Sequence, residues 1–420
     1  MSAPAGLARR GQLAVAVLAL TIAACAPSPP PISAESPAPS ATITASPPSA
    51  GSSPSSAPAT GEPQSATGIR TNALGSLNGN WIFFTRRVPV PPSITARLEV
   101  WGLPAGAAPR LAFSYSVPMG GIPEAPLDND PYLRRQFSPD GRQIIISTTS
   151  AGLAIVDLPS GHARQLGVAG QFPSWSKDGS SIAYIADVSH PDPQVAVPER
   201  AIWVVPLAGG SPREVVGVGY SSTSPEWSPD GSLLVAQLRD GVGLIDVANA
   251  REVPGGRIPF ALTMTGAHWH AGGTGLAVTL IRRDDTQVIT YDRSTGVTSF
   301  VAQFPRPFDP SPCGCPQGLV PRDPRWSPAG TAELLFVLVD EKTGRAEPNI
   351  LDTESGRRSA LPVDAAEATW SSDGRQIIYI ARGQTRGGAL RAYDRASGAD
   401  RDLVAPPNDA AQLSVASVSY

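Results

Sequence analysis

Lysine is nearly missing from this chain: Lys177 and Lys342 are its only two, and arginine supplies the rest of the 33 basic residues. Against 36 acidic residues this leaves a net charge of −3 with no basic cluster, so a nucleic-acid partner is not expected. Cysteine is scarce as well, and Cys25, Cys313 and Cys315 are too few for a thiolate-only metal centre. Four histidines leave a metal-dependent enzyme few ligands. The longest apolar run, Leu13 to Ala23, is too short to span a bilayer. There is no Gly-x-Ser-x-Gly elbow, no phosphate-binding glycine loop and no His-Glu-x-x-His pair. No catalytic residue, no resident metal and no cofactor is therefore expected.

What the chain has is a repeated turn. Trp227-Ser228-Pro229-Asp230-Gly231 is echoed at Phe137 to Gly141, Trp175 to Gly179, Trp269 to Gly273, Trp326 to Gly330 and Trp370 to Gly374. The closing glycines are 38, 52, 42, 57 and 44 residues apart, the period of a four-stranded propeller blade. Serine, then proline with its fixed φ, aspartate and a glycine free to take positive φ make a tight hairpin turn. Each turn is followed by an unbroken apolar run, such as Ile144-Ile145-Ile146 or Ile377-Ile378-Tyr379-Ile380, which reads as a strand buried on both faces. Further strands end at Gly- or Ser-rich turns, as Leu153 to Leu158 does before Pro-Ser-Gly.

The pattern resembles the TolB-like β-propeller repeat, whose signature is Pro-x-Trp-Ser-Pro-Asp-Gly, and the match covers roughly residues 75 to 420. Pro173, Pro225 and Pro324 supply even the upstream proline. Gly272 and Ala329 depart from the pattern where the turn aspartate belongs, and the helical N-terminal domain of TolB has no counterpart. The expected fold is all-β: a propeller of four-stranded blades, seven in number with six as the alternative. A seventh, degenerate copy begins at Asn78-Gly79-Asn80 without an inner strand of its own, and the C-terminal segment Leu413 to Tyr420 is expected to supply it and close the ring. The turn aspartates Asp140, Asp178, Asp230 and Asp373 read as caps of their own turns. The tryptophans at 175, 227, 269, 326 and 370 read as packing between blades.

The chain divides into a signal peptide (1–24), a tether (25–70) and the propeller (71–420). Arg9 and Arg10 precede the apolar run, which ends in Ile22-Ala23-Ala24-Cys25. That ending resembles the lipobox of bacterial lipoproteins. The resemblance implies a lipid on Cys25 and an anchor on the extracytoplasmic face of a cytoplasmic or outer membrane, the alternative being an ordinary secretory signal. The Pro/Ser/Ala/Thr-rich stretch that follows cannot bury enough surface to fold. As a coil it spans on the order of 35 Å, and extended roughly 130 Å.

Two constellations depart from the repeat. Cys313-Gly314-Cys315 lies in a proline-rich insertion, as a strained bridge, as free or intermolecular thiols, or in a redox or metal role. His268 and His270 flank Trp269 on an inner strand, where period 2 points both the same way, toward the channel; they are either ligands there or ordinary hydrogen-bonded residues. The functional expectation is a membrane-anchored, extracytoplasmic binding or scaffolding module. Its partner would be an envelope protein or a cell-wall component. The alternatives are a propeller hydrolase or lyase acting on a carbohydrate or peptide, with a channel site using the two histidines, and a ligand-sensing partner of a membrane protein.

Overall fold

The computed structural model describes residues 68–90, 95–118, 133–148, 152–188, 200–218, 224–239, 241–259, 263–307, 318–382, 388–405 and 412–419. All of them belong to one compact unit, Gly61–Tyr420. Cys25, Cys313 and Cys315, the signal peptide and nearly all of the tether lie outside the described residues.

The strands form seven antiparallel blades, so the count of seven stands over six. Blade 1 is Asn80–Pro89, Thr95–Pro104 and Arg110–Pro118. Its innermost strand is Gln412–Ser419 from the far end of the chain, running antiparallel to Asn80–Pro89 with Asn80 opposite Ser419 and Arg87 opposite Gln412. The ring is closed as expected, by a C-terminal strand. A short extra strand, Arg70–Thr71, pairs with the outer edge of this blade. Blades 3 to 7 begin with the inner strands Gln171–Trp175, Glu226–Trp227, Thr263–Trp269, Leu319–Trp326 and Ala365–Trp370. Blade 2 departs from the rule. It has three strands, and its innermost position is taken by a 3-10 turn, Leu133–Gln136, followed by a single bridge between Phe137 and Ile144.

The apolar core is divided into seven wedges, one between each pair of neighbouring blades. This explains the unbroken apolar runs. In blade 2, Ile144 and Ile146 pack with Phe83 and Phe113 of blade 1, whereas Ile145 packs with Trp175, Ile182 and Tyr184 of blade 3. Alternate side chains of one strand thus serve alternate neighbours. Likewise Phe83 faces blade 2, while Phe84 joins Ile378, Ile380 and Leu390 of blade 7.

The repeated turn works as its chemistry requires. Ser228 Oγ donates to Asp230 Oδ1 (2.6 Å) and accepts the N–H of Leu233 (2.9 Å), while the N–H of Gly231, at φ +71°, returns to the Ser228 carbonyl (2.9 Å). The same serine and aspartate bonds recur at Ser138, Ser176 and Ser371. Hydrogen bonds from Ser176 and Ser180 hold the Asp178 carboxyl below its ordinary range, and those from Ser371 and the Arg375 N–H do the same for Asp373. A depressed carboxyl stabilises the fold above the ordinary carboxylate range, and its contribution fades as pH falls through the lowered value.

Candidate functional site

Tryptophan of the motif faces the preceding blade, so by the period of a strand the residue before it points to the other face of its sheet, toward the following blade, at the innermost edge beside the channel. That position reads Ser174, Glu226, His268, Arg325 and Thr369 in blades 3 to 7, and all five line one cavity of about 350 Å³. Blade 2, with its 3-10 turn, contributes Arg134 and Arg135; Lys177 and Asp323 complete the charged lining. The tryptophans stitch this ring together. The indole N–H of Trp227 donates to the carbonyl of Ser174 (3.2 Å), that of Trp326 to His268 (3.1 Å) and that of Trp370 to Arg325 (2.9 Å). In each case the indole reaches the channel-facing residue of the preceding blade.

Two buried ion pairs cross the cavity wall. Arg135 pairs with Glu226 and also donates to the carbonyls of Ser224 (2.5 Å) and Ala267, which ties blade 2 to blades 4 and 5. Arg325 pairs with Asp323 at 2.6 Å and donates to Thr369 Oγ1 at 2.9 Å, tying blade 6 to blade 7. Burial pushes the Asp323 carboxyl up, with Arg325 opposing it. Asp323 also takes φ +50°, in a bulge of its strand, a conformation that stores on the order of 1–3 kcal/mol in a residue other than glycine. Gly266 of blade 5 makes room for it: a Cβ there would stand 2.5 Å from Pro324 Cδ and 3.0 Å from Asp323 Cα.

Burial and the nearby Arg134, Lys177 and Arg325 push the His268 imidazole well below the ordinary value. Its Nδ1 accepts the backbone N–H of Trp326 (3.1 Å), which puts the ring proton on Nε2. His270 goes elsewhere. It occupies the place of the motif serine, where its Nδ1 accepts the N–H of Gly272 (3.2 Å) and its ring stands edge-on to Trp326. The two imidazoles that the sequence placed side by side therefore have separate partners, and His268 is the one that lines the cavity. Among the described residues, no group of three or more His, Cys, Asp or Glu is placed to hold a metal.

The sequence reading passed over Arg134, Arg135, Lys177, Glu226, Asp323 and Arg325. The signal for Glu226 and Arg325 was present: each directly precedes a motif tryptophan. Nothing comparable marked Arg134 and Arg135, since the 3-10 turn replaces the expected strand.

No protein-family model and no curated protein sequence matches the chain. Solved structures do. A puromycin hydrolase (S511A mutant complexed with PGG) aligns over 80% of this chain at 18% identity, with a TM-score of 0.54. The fold is a seven-bladed β-propeller. The chain covers only 54% of that hydrolase. TolB from Acinetobacter baumannii aligns over 80% of this chain and 82% of its own at 16% identity, with a TM-score of 0.42. The periplasmic gluconolactonase PpgL of Pseudomonas aeruginosa aligns over 80% and 99% at 16% identity, with a TM-score of 0.48. At such identities the likeness is one of fold. Among the described residues no helix is long and apolar enough to cross a membrane.

Proposed function

We propose that this TolB-like propeller is an extracytoplasmic binding module of the bacterial envelope. In this reading it is held to a membrane by a lipid on Cys25 and takes an envelope protein or cell-wall component into the mouth of its central channel. One observation carries the reading: the motif repeats its tryptophan and closing glycine in blades 3 to 7, but the cavity-lining residue before the tryptophan is different and polar in each of them. The repeated residues build the fold. The varied one lines the channel, where a ligand can select it. Keeping Glu226, Asp323 and their arginines buried also carries a desolvation penalty of several kcal/mol per ion, which apolar residues would not incur. A wall that bears such a penalty fits a surface that recognises something.

The test is capture from envelope extract by the full chain, compared with Ser372→Trp and Phe300→Ser. Ser372 sits in a turn and lines the cavity but belongs to neither ion pair, and an indole there takes up space that a ligand would occupy. Phe300 is 67% exposed on an outer strand and serves as the control. Partner recovery should fall at least tenfold with Ser372→Trp and stay unchanged with Phe300→Ser; equal recovery from both variants would contradict a channel site. In the same cells Cys25→Ser should leave the membrane fraction, and its retention there would contradict the anchor.

A further inference from the structure

The charges lining the channel do not balance. Arg134, Arg135, Lys177 and Arg325 face two carboxylates, Glu226 and Asp323, and each carboxylate is taken by one arginine, Arg135 and Arg325 respectively. Arg134 and Lys177 have no carboxylate partner among the described residues. Both side chains line the cavity and are accessible there, yet protein surrounds them closely enough that burial lowers the pKa of each; repulsion from neighbouring cations adds to this, while Glu226, and for Arg134 also Asp323, opposes it from beyond ion-pair distance.

Both cations arise where the repeat is broken. Lys177 stands in the motif position that Pro139, Pro229 and Pro328 occupy in other copies, in a chain with only one other lysine. Arg134 comes from the 3-10 turn that replaces the inner strand of blade 2, which is how that blade presents two channel residues in place of one.

The geometry beside them is a donor pair. Arg134 Nη1 lies 3.4 Å from His268 Nε2. Since Nδ1 already accepts the Trp326 N–H, the ring proton is on Nε2, and the guanidinium can only donate. Two N–H groups thus converge, and neither has an acceptor among the described residues. An oxygen lying within about 2.9 Å of both would satisfy the pair, and a negatively charged oxygen would offset the two unpaired cations as well.

We infer that Arg134, Lys177 and the Nε2–H of His268 form an anion site holding one oxyanion group, a carboxylate or a phosphate, of the molecule the channel binds. This rests on the channel being the binding site and names the chemistry recognised there. The arginine supplies a planar fork and a permanent charge, the lysine a mobile point charge, and the histidine a donor fixed by Trp326.

The experiment is thermal unfolding of the full chain in sodium phosphate and, separately, sodium acetate, each against sodium chloride at equal ionic strength and pH. A site-bound anion raises the melting temperature with concentration. Stabilisation by phosphate alone identifies a phosphoryl group, by acetate alone a carboxylate; either supports the site. Arg134→Gln and Lys177→Gln should each weaken the apparent affinity about ten- to a hundredfold, and Lys342→Gln should leave it unchanged. No stabilisation of the wild type by either anion overturns the site, as does stabilisation that survives in the Arg134→Gln, Lys177→Gln double variant. Failure here with Ser372-sensitive capture intact removes the anion site alone. Anion binding combined with capture indifferent to Ser372→Trp removes the wider binding reading alone.

Discussion

Deleting residues 412–420 should abolish the single cooperative unfolding transition of the propeller and leave a broad, low-temperature melt. The deleted strand pairs with Asn80–Pro89 along its whole length and is the innermost strand of blade 1, whose other strands come from residues 70–118. Without it, the inner edge of blade 1 presents unpaired backbone groups to water and to other chains. The wedge between blades 7 and 1, where Phe84 and Leu103 meet Ile378, Ile380 and Leu390, also loses the strand that fixes its position. A folded domain rests on roughly 5–15 kcal/mol in total, so an open ring has little left. Circular dichroism on heating measures this, and adding the 412–420 peptide in excess should restore part of the transition. A truncated chain that melts sharply at the wild-type temperature would show that ring closure does not depend on this strand.

Glu226→Ala is expected to destabilise the protein by about 3–5 kcal/mol, because it leaves the Arg135 guanidinium buried without its carboxylate. Glu226 is only 2% exposed, so water cannot replace it readily. Replacing both partners, as Arg135→Met with Glu226→Leu, should recover at least half of that loss, since two apolar groups of similar volume bear no unpaired charge. Urea unfolding of the two singles and the double gives the coupling. If Glu226→Ala cost under about 1 kcal/mol, the pair would be solvated in solution and the wall of the channel softer than its geometry implies.

Blades 2 to 7 were legible in the sequence because each is built locally. Ser228, Asp230 and Gly231 make their turn with partners no more than five residues away, so the motif alone specifies it. The closing strand could be read because a degenerate first copy lacked an inner strand and the last segment lacked a turn. The channel wall was harder to see. Glu226, His268 and Arg325 do not resemble one another, and comparison of repeats discards positions that vary. Only strand alternation relative to the tryptophan picks them out. His270 was paired with His268 by spacing alone, whereas its place in the motif, that of the serine, is what sets its role in the turn. Asp323 is brought to the channel by a positive φ and by the close approach that Gly266 allows, neither of which has a local signature.

The measurement that bears most directly on the channel as the place of binding is photo-crosslinking in living cells from a single photoreactive residue at Ser372, which lines the cavity, compared with one at Phe300 on an outer strand. A discrete adduct from Ser372 that is absent from Phe300, and that is lost when Arg134 and Lys177 are both replaced by glutamine, is the expected result. An adduct from Phe300 with none from Ser372 would place binding on the outer strands and contradict the account.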